Sequence, residues 1–176
     1  MKKIIRVALA AAVLSAIVAT SFNASAQDSN GFFVSANIGP SQYKLDDVEK
    51  KNKFLAGVGV GYSFTPNVAL ELGFNDYGKI NVDSVNARVS AAHLSLLLSA
   101  PIANDFSIYG RLGVARVELQ AEGFGLNFSE RKTKGLYGIG AAYDFAKNIQ
   151  GTIEFQNQKV VDGDVRALAM GVKFKF

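Results

Sequence analysis

From Gly31 onward, large apolar residues return at every second position in eight separate runs. The last run, Asp164 to Phe176, sets Leu168, Met170, Val172, Phe174 and Phe176 against Ala167, Ala169, Gly171, Lys173 and Lys175. Successive side chains leave a strand on opposite sides, so a period of two marks a β-strand with one apolar and one polar face. The same alternation predicts strands over 31–39, 54–64, 68–77, 88–100, 106–120, 136–145, 149–158 and 164–176. One face of each is large and apolar: Val58, Val60 and Tyr62; Leu70, Leu72 and Phe74; Leu94, Leu96 and Leu98; Ile153 and Phe155. The other holds small residues, amides and charge: Gly57, Gly59 and Gly61; Glu71, Gly73 and Asn75; Arg111 and Gly113; Gln150, Thr152, Glu154 and Gln156.

The connections alternate in length. Short turns are expected at 65–67, 101–105 and 146–148, longer polar loops at 40–53, 78–87 and 121–135, and a modest loop at 159–163. Soluble ligand-carrying barrels need apolar residues inside; here the face with glycine suits a narrow interior, and the apolar face suits lipid. No segment after residue 26 has 18 or more continuous apolar residues, so helical spans are excluded there. A closed barrel is the other way to satisfy every backbone group in hydrocarbon. The predicted fold class is all-β, an eight-stranded antiparallel up-and-down transmembrane β-barrel whose interior is just filled by side chains. An even strand number puts both termini on the side of the short turns.

The first 26 residues predict a cleaved signal peptide. Lys2, Lys3 and Arg6 precede the apolar run from Val7 to Val18, and Ala24-Ser25-Ala26 is a small-x-small cleavage site. The barrel domain is then 27–176. The leader holds three of the 19 cations and no acid, so 16 cations face 15 acids in what remains. That balance gives no support for a nucleic-acid partner. There is no cysteine, hence no disulfide, thiolate chemistry or lipid anchor on a cysteine.

Three stretches resemble a known family. Ala36-Asn37-Ile38-Gly39-Pro40-Ser41-Gln42-Tyr43 is similar to the first strand of small outer-membrane barrels of the OmpA transmembrane-domain and OmpX group. Gly61 to Phe74 (GYSFTPNVALELGF) is similar to their first hairpin, and Pro101-Ile102 with Ile108 to Gly113 to their second turn and fifth strand. Glu154-Phe155-Gln156 and the terminal Phe176 also fit. The resemblance implies the outer membrane of a Gram-negative bacterium, a porin-like or structural barrel and a monomer. It implies outer-membrane lipid, lipopolysaccharide and the assembly machinery as partners, with Phe174 and Phe176 resembling the assembly signal. The larger members' peptidoglycan-binding domain has no counterpart in these residues, so cell-wall anchoring is not expected.

Strand parity places Glu71, Arg111 and Glu154 on the inner face, and the resemblance puts all three where such barrels keep lumen charges. A charge in a narrow lumen must be paired, and one arginine between two carboxylates can form a bidentate network. The family's further lumen cation and anion are replaced by Leu97, Ala142 and Thr152, which leaves a partner-swapping gate fewer partners. Lys173 and Lys175 face inward near the periplasmic mouth, as an anion-preferring vestibule or as solvated strand-end lysines. His93-Leu94-Ser95 matches the His-x-Ser pair of lipid A deacylases, but both face inward and Ser107 stands where an orienting acid is needed. No catalytic residue, cofactor or metal is therefore assigned. Surface ligands would meet the loops: Asp46, Asp47, Glu49, Lys50, Lys51 and Lys53 in one, Phe124, Phe128, Glu130, Arg131, Lys132 and Lys134 in another. The expected role is envelope integrity and surface interaction of an adhesion type, not enzymatic. The alternatives are a narrow pore and, behind it, a lipid A-modifying enzyme.

Overall fold

The computed structural model describes residues 30–45, 48–82, 85–123, 126–160 and 163–176. The expected leader 1–26, Asp46, Asp47 and Phe124 lie outside the described residues, as do the side chains of Glu49, Lys50, Lys51, Phe128 and Glu130.

Eight strands follow one another: β1 (Gly31–Leu45), β2 (Val48–Thr65), β3 (Val68–Val82), β4 (Val85–Pro101), β5 (Phe106–Gly123), β6 (Leu126–Ala146), β7 (Ile149–Val160) and β8 (Gly163–Lys175). Each pairs antiparallel with its neighbours in sequence, and β8 pairs with β1 to close the barrel. Closure leaves no unpaired edge, which lipid would not tolerate.

Following pair partners once around fixes the geometry. From Phe33 the row runs through Gly61, Glu71, Ser95, Gly113, Leu136, Gln158 and Val165, and returns to β1 at Tyr43, ten residues beyond its start. For eight strands that stagger corresponds to a tilt of roughly 40°. From Phe33 to Val165 every residue in that row points inward, because the side-chain period and the stagger are both even. A one-residue slip would turn the apolar set into the lumen.

The outer face carries the predicted apolar set. Ile38, Leu72, Ile139 and Met170 are 57–66% exposed, as lipid-facing residues are without their lipid. At the end that holds the turns, the start of β1 and Phe176, Phe32 meets Tyr62, Tyr143 meets Phe145 and Phe174 meets Phe176, edge to face at 5.0–5.1 Å. Aromatic girdles of this kind sit at the membrane interface. Thr65 Oγ1 accepts from the amides of Asn67 and Val68 and holds the first turn, and Asn67 Nδ2 donates to the Ser99 carbonyl of the next hairpin.

The opposite end departs from expectation. Much of the stretches read as long loops is strand: Ser41 pairs with Lys53, Gln42 with Asn52, Glu118 with Arg131 and Gln120 with Ser129. Polar side chains exclude a strand from hydrocarbon but not from a ladder. Above the membrane both faces of a hairpin are wetted, so pairing continues without the period-two apolar signal. Gly78, at φ 84°, takes the left-handed conformation at an irregularity between Asp76 and Lys79.

Candidate functional site

The lumen holds three layers. The middle one is charged. Arg111 on β5 reaches Glu71 on β3 through Nη1 at 2.5 Å, and Glu154 on β7 through Nε at 2.7 Å and Nη2 at 3.1 Å. The contact with Glu154 is the two-pronged arginine–carboxylate fork. Tyr109 donates its hydroxyl to Glu154 Oε2 at 2.7 Å, and Ser35 donates to Glu71 Oε2 at 3.0 Å. All four carboxylate oxygens are engaged. Glu71, Arg111 and Glu154 are each at most 5% exposed. Strand parity brought these three residues and Tyr109 to the inner face; that Tyr109 and Ser35 complete the network depends on closure.

Glycine makes the space for this layer. A Cβ on Gly138 would fall 2.6 Å from Glu154 Oε1, and one on Gly59 would fall 2.7 Å from Ser35 Oγ. Both glycines are on inward positions of strands whose outward neighbours are large, so the backbone there serves as the wall against which the carboxylates pack.

The two lysines of the periplasmic mouth separate. Lys173 Nζ lies 4.6 Å from the centroid of the Phe33 ring and lines, with Glu71, Arg111 and Glu154, a cavity of about 20 Å³. That volume suits about one water. Two cations and two carboxylates thus surround the cavity. Lys175 instead pairs with Asp144 at 2.7 Å on the rim, where Gln150 Nε2 also donates to Asp144.

An apolar cluster lies on each side, the outer one interleaved with buried Ser41, Asn75, Gln156 and Gln158. Toward the turns, Phe33, Ala69, Leu97, Tyr109 and Ala142 are buried together. Toward the other end, Leu55, Tyr77, Val89, Val117, Leu136 and Val165 form a second buried cluster with alanines 91, 115, 167 and 169. The expected inner face of small residues, amides and charge is present, with Ser41, Asn75, Ser95, Gln156 and Gln158 all buried, and these clusters add aliphatic residues to it. The inward positions of the outer half include Val89, Val117 and Val165, which all lie inside the strands that the alternation predicts.

His93 Nδ1 and Ser95 Oγ are 3.0 Å apart, both buried in the lumen. Glu71, which pairs with Ser95 in register, is committed to Arg111 and Ser35. A Cβ on Gly73 would fall 2.5 Å from His93 Nε2, so the imidazole lies against the barrel wall, away from the lipid face that a deacylase must present. Among the described residues no group of His, Cys, Asp and Glu could hold a metal.

Comparison with known proteins agrees with this architecture. The family described as "outer membrane protein beta-barrel domain" matches residues 9–176. Outer membrane protein A of Escherichia coli O157:H7 is 27% identical over 97% of this chain and 55% of its own length, and that of Serratia marcescens is 27% identical over 97% and 56%. The chain thus spans about half the length of the curated relatives it matches. Among solved structures it is similar to Neisserial surface protein A (TM-score 0.74, 14% identity, 83% of this chain and 97% of that one). It is also similar to the N-terminal β-barrel domain of Pseudomonas aeruginosa OprF (0.66, 18%, 85% and 100%). A third is Ail, the attachment invasion locus protein of Yersinia pestis, solved with the heparin analogue sucrose octasulfate (0.64, 20%, 85% and 100%).

Proposed function

Because the chain belongs to the outer membrane protein beta-barrel domain family and lies in the bacterial outer membrane, we propose that it is a closed structural barrel, supporting the envelope and presenting its extracellular hairpins to surface ligands. The observation that carries this reading is the layering of the lumen: a saturated charge network between two apolar clusters. Moving an ion past Arg111 would require it to shed water against Leu55, Leu136 and Val165 on one side and Phe33 and Leu97 on the other. The surface half of the proposal draws on the polar hairpins that continue beyond the lipid band, and on the likeness to Ail, which was solved with a heparin analogue.

One observation favours the pore as second reading. Asn37 Oδ1, Ser41 Oγ, Asn75 Oδ1 and Gln158 Oε1 are buried without a hydrogen-bond partner among the described residues. Waters serving them would make a wet thread through the outer half.

Conductance in a planar bilayer separates the two, with wild type measured beside Arg111→Met. Silence in both supports the closed barrel. Steady steps in wild type that change size in the variant refute it and install the pore. For the enzyme reading, lipid A from cells expressing the protein should keep its acyl chains, and Ser95→Ala should leave that pattern unaltered.

A further inference from the structure

One joint of the barrel lacks a rung. β1 carries Pro40 in mid-strand, inside a continuous run of pairs with β2. Phe176 donates its amide to the Phe32 carbonyl at 2.9 Å, so the even-numbered residues of β1 turn their N–H and C=O groups toward β8. Pro40 is one of them and has no N–H. The register of β1 on β8 is the same at Ile38–Met170 and at Ser41–Ala167, yet Gly39 and Pro40 between them form no pair with β8. On the other flank they pair with Leu55 and Phe54. The deficit therefore falls on the joint between the first and last strands, and the Leu168 carbonyl opposite Pro40 is left without a ladder donor.

The wall is thin at the same place. A Cβ on Gly39 would collide with the Leu168 carbonyl oxygen and lie 2.9 Å from Ala169 Cα, so glycine is what lets the two backbones come together there. The inward residues around the gap are Gly39, Ser41, Ala167 and Ala169, and none sends a bulky side chain across it. Two polar atoms on that inner side, Ser41 Oγ and Asn37 Oδ1, are buried without a hydrogen-bond partner among the described residues. Asn37 and Ala169 also line the central cavity, beside Glu71, Arg111, Glu154 and Lys173.

The gap lies one outward pair below Gln42 and Arg166, which pair across the same joint and are both exposed. Those two polar residues mark the upper edge of the apolar band. Water at the membrane interface thus stands next to the missing rung, with unpartnered polar atoms on its far side. A carbonyl without a donor is costly in hydrocarbon, and a water coming in from the interface relieves that cost.

We propose that the β1–β8 joint at Pro40 is a lateral inlet for water, where the two strands part locally and the central charged cavity exchanges with the outer interface. The route runs past the Leu168 carbonyl to Ser41 Oγ and Asn37 Oδ1 and ends at the cavity. Water alone uses it, since a cavity of about 20 Å³ holds about one molecule. The inlet crosses the wall and does not follow the axis, so it goes beyond the closed-barrel reading and leaves Leu55, Leu136 and Val165 in place as the axial plug.

The test is hydrogen exchange of the full protein, taken from outer membranes into phospholipid nanodiscs and read residue by residue by NMR. The Leu168 amide faces β1. Val114, whose amide faces β4, lies two places below the exposed Arg116, as Leu168 lies two below Arg166. In wild type the Leu168 amide should exchange about ten-fold faster than that of Val114, roughly the worth of one hydrogen bond. Pro40→Ala supplies the missing donor and should bring Leu168 down to the rate of Val114. Ile38→Cys/Met170→Cys clamps the joint from outside in a chain that has no other cysteine. Oxidised, it should slow Leu168 in the same way; reduced, it should exchange like wild type. Heat-shifted gel migration checks that each variant folds. The Asn37 side-chain amide, at the end of the route, should follow Leu168 throughout. Leu168 and Val114 exchanging at one rate in wild type, or a Leu168 rate that neither Pro40→Ala nor the disulfide slows, overturns the inlet. An Asn37 side chain that keeps its rate when the disulfide forms receives its water along the axis, which also overturns it.

Discussion

Replacing Arg111 by Met is the sharpest perturbation of the lumen. Methionine retains much of the arginine stem, so the volume change is small, while the charge and all three contacts to Glu71 and Glu154 are removed. Two carboxylates then stay buried, each with one donor left, Ser35 for Glu71 and Tyr109 for Glu154. Breaking a buried ion pair by deleting one partner costs about 3–5 kcal/mol, most of it from the charge left uncompensated. Lys173, which lines the same cavity, offsets only part of this because it already sits on the Phe33 ring. The loss should therefore fall in that range. The same argument says the cost lies in the stranded charges and not in the missing attraction. Adding Glu71→Gln and Glu154→Gln to Arg111→Met should then recover stability to within about 1–2 kcal/mol of wild type, the remainder being hydrogen bonds traded for weaker ones. Urea titrations of the barrel folded in phospholipid vesicles, read by the mobility difference between folded and boiled protein, measure all of these. A single variant within about 1 kcal/mol of wild type, or a triple variant as unstable as the single, would refute the reasoning.

Gly138→Val should destabilise by about 1–3 kcal/mol in the same titration, because its Cβ would be driven onto Glu154 Oε1. Leu136→Ala, in the outer apolar layer, should cost about 2–5 kcal/mol, and, if that layer seals the lumen, should raise bilayer conductance above wild type. Lys175→Ala should change stability by less than about 1 kcal/mol, since both partners of the rim pair with Asp144 are more than a third exposed. Gly78→Ala should cost about 1 kcal/mol by forcing a side chain into the left-handed region, seen as a lower urea midpoint with an unchanged slope.

The period-two alternation alone determined the barrel. Eight apolar faces with no partner sheet can be satisfied only by lipid outside and closure inside, and Glu71, Arg111 and Glu154 fall on the inner face by counting. Alternation is a local property, carried by each strand on its own, so it survives in a bare sequence. What it could not carry was anything that depends on stagger. The ten-residue offset decides which residues of distant strands share a height: it puts Tyr109 under Glu154, Ser35 beside Glu71 and Lys173 at the central cavity, and sends Lys175 to Asp144. It also stacks aliphatic residues from β2, β4, β5, β6 and β8 into the outer plug. A groove on the outer wall over Leu98, Gly110, Leu112, Ile139 and Phe155 has the same origin. Gly110 reads in the sequence as one more glycine; only when its neighbours on β4 and β6 are brought beside it does the missing side chain become a notch below Tyr137 and Asn157.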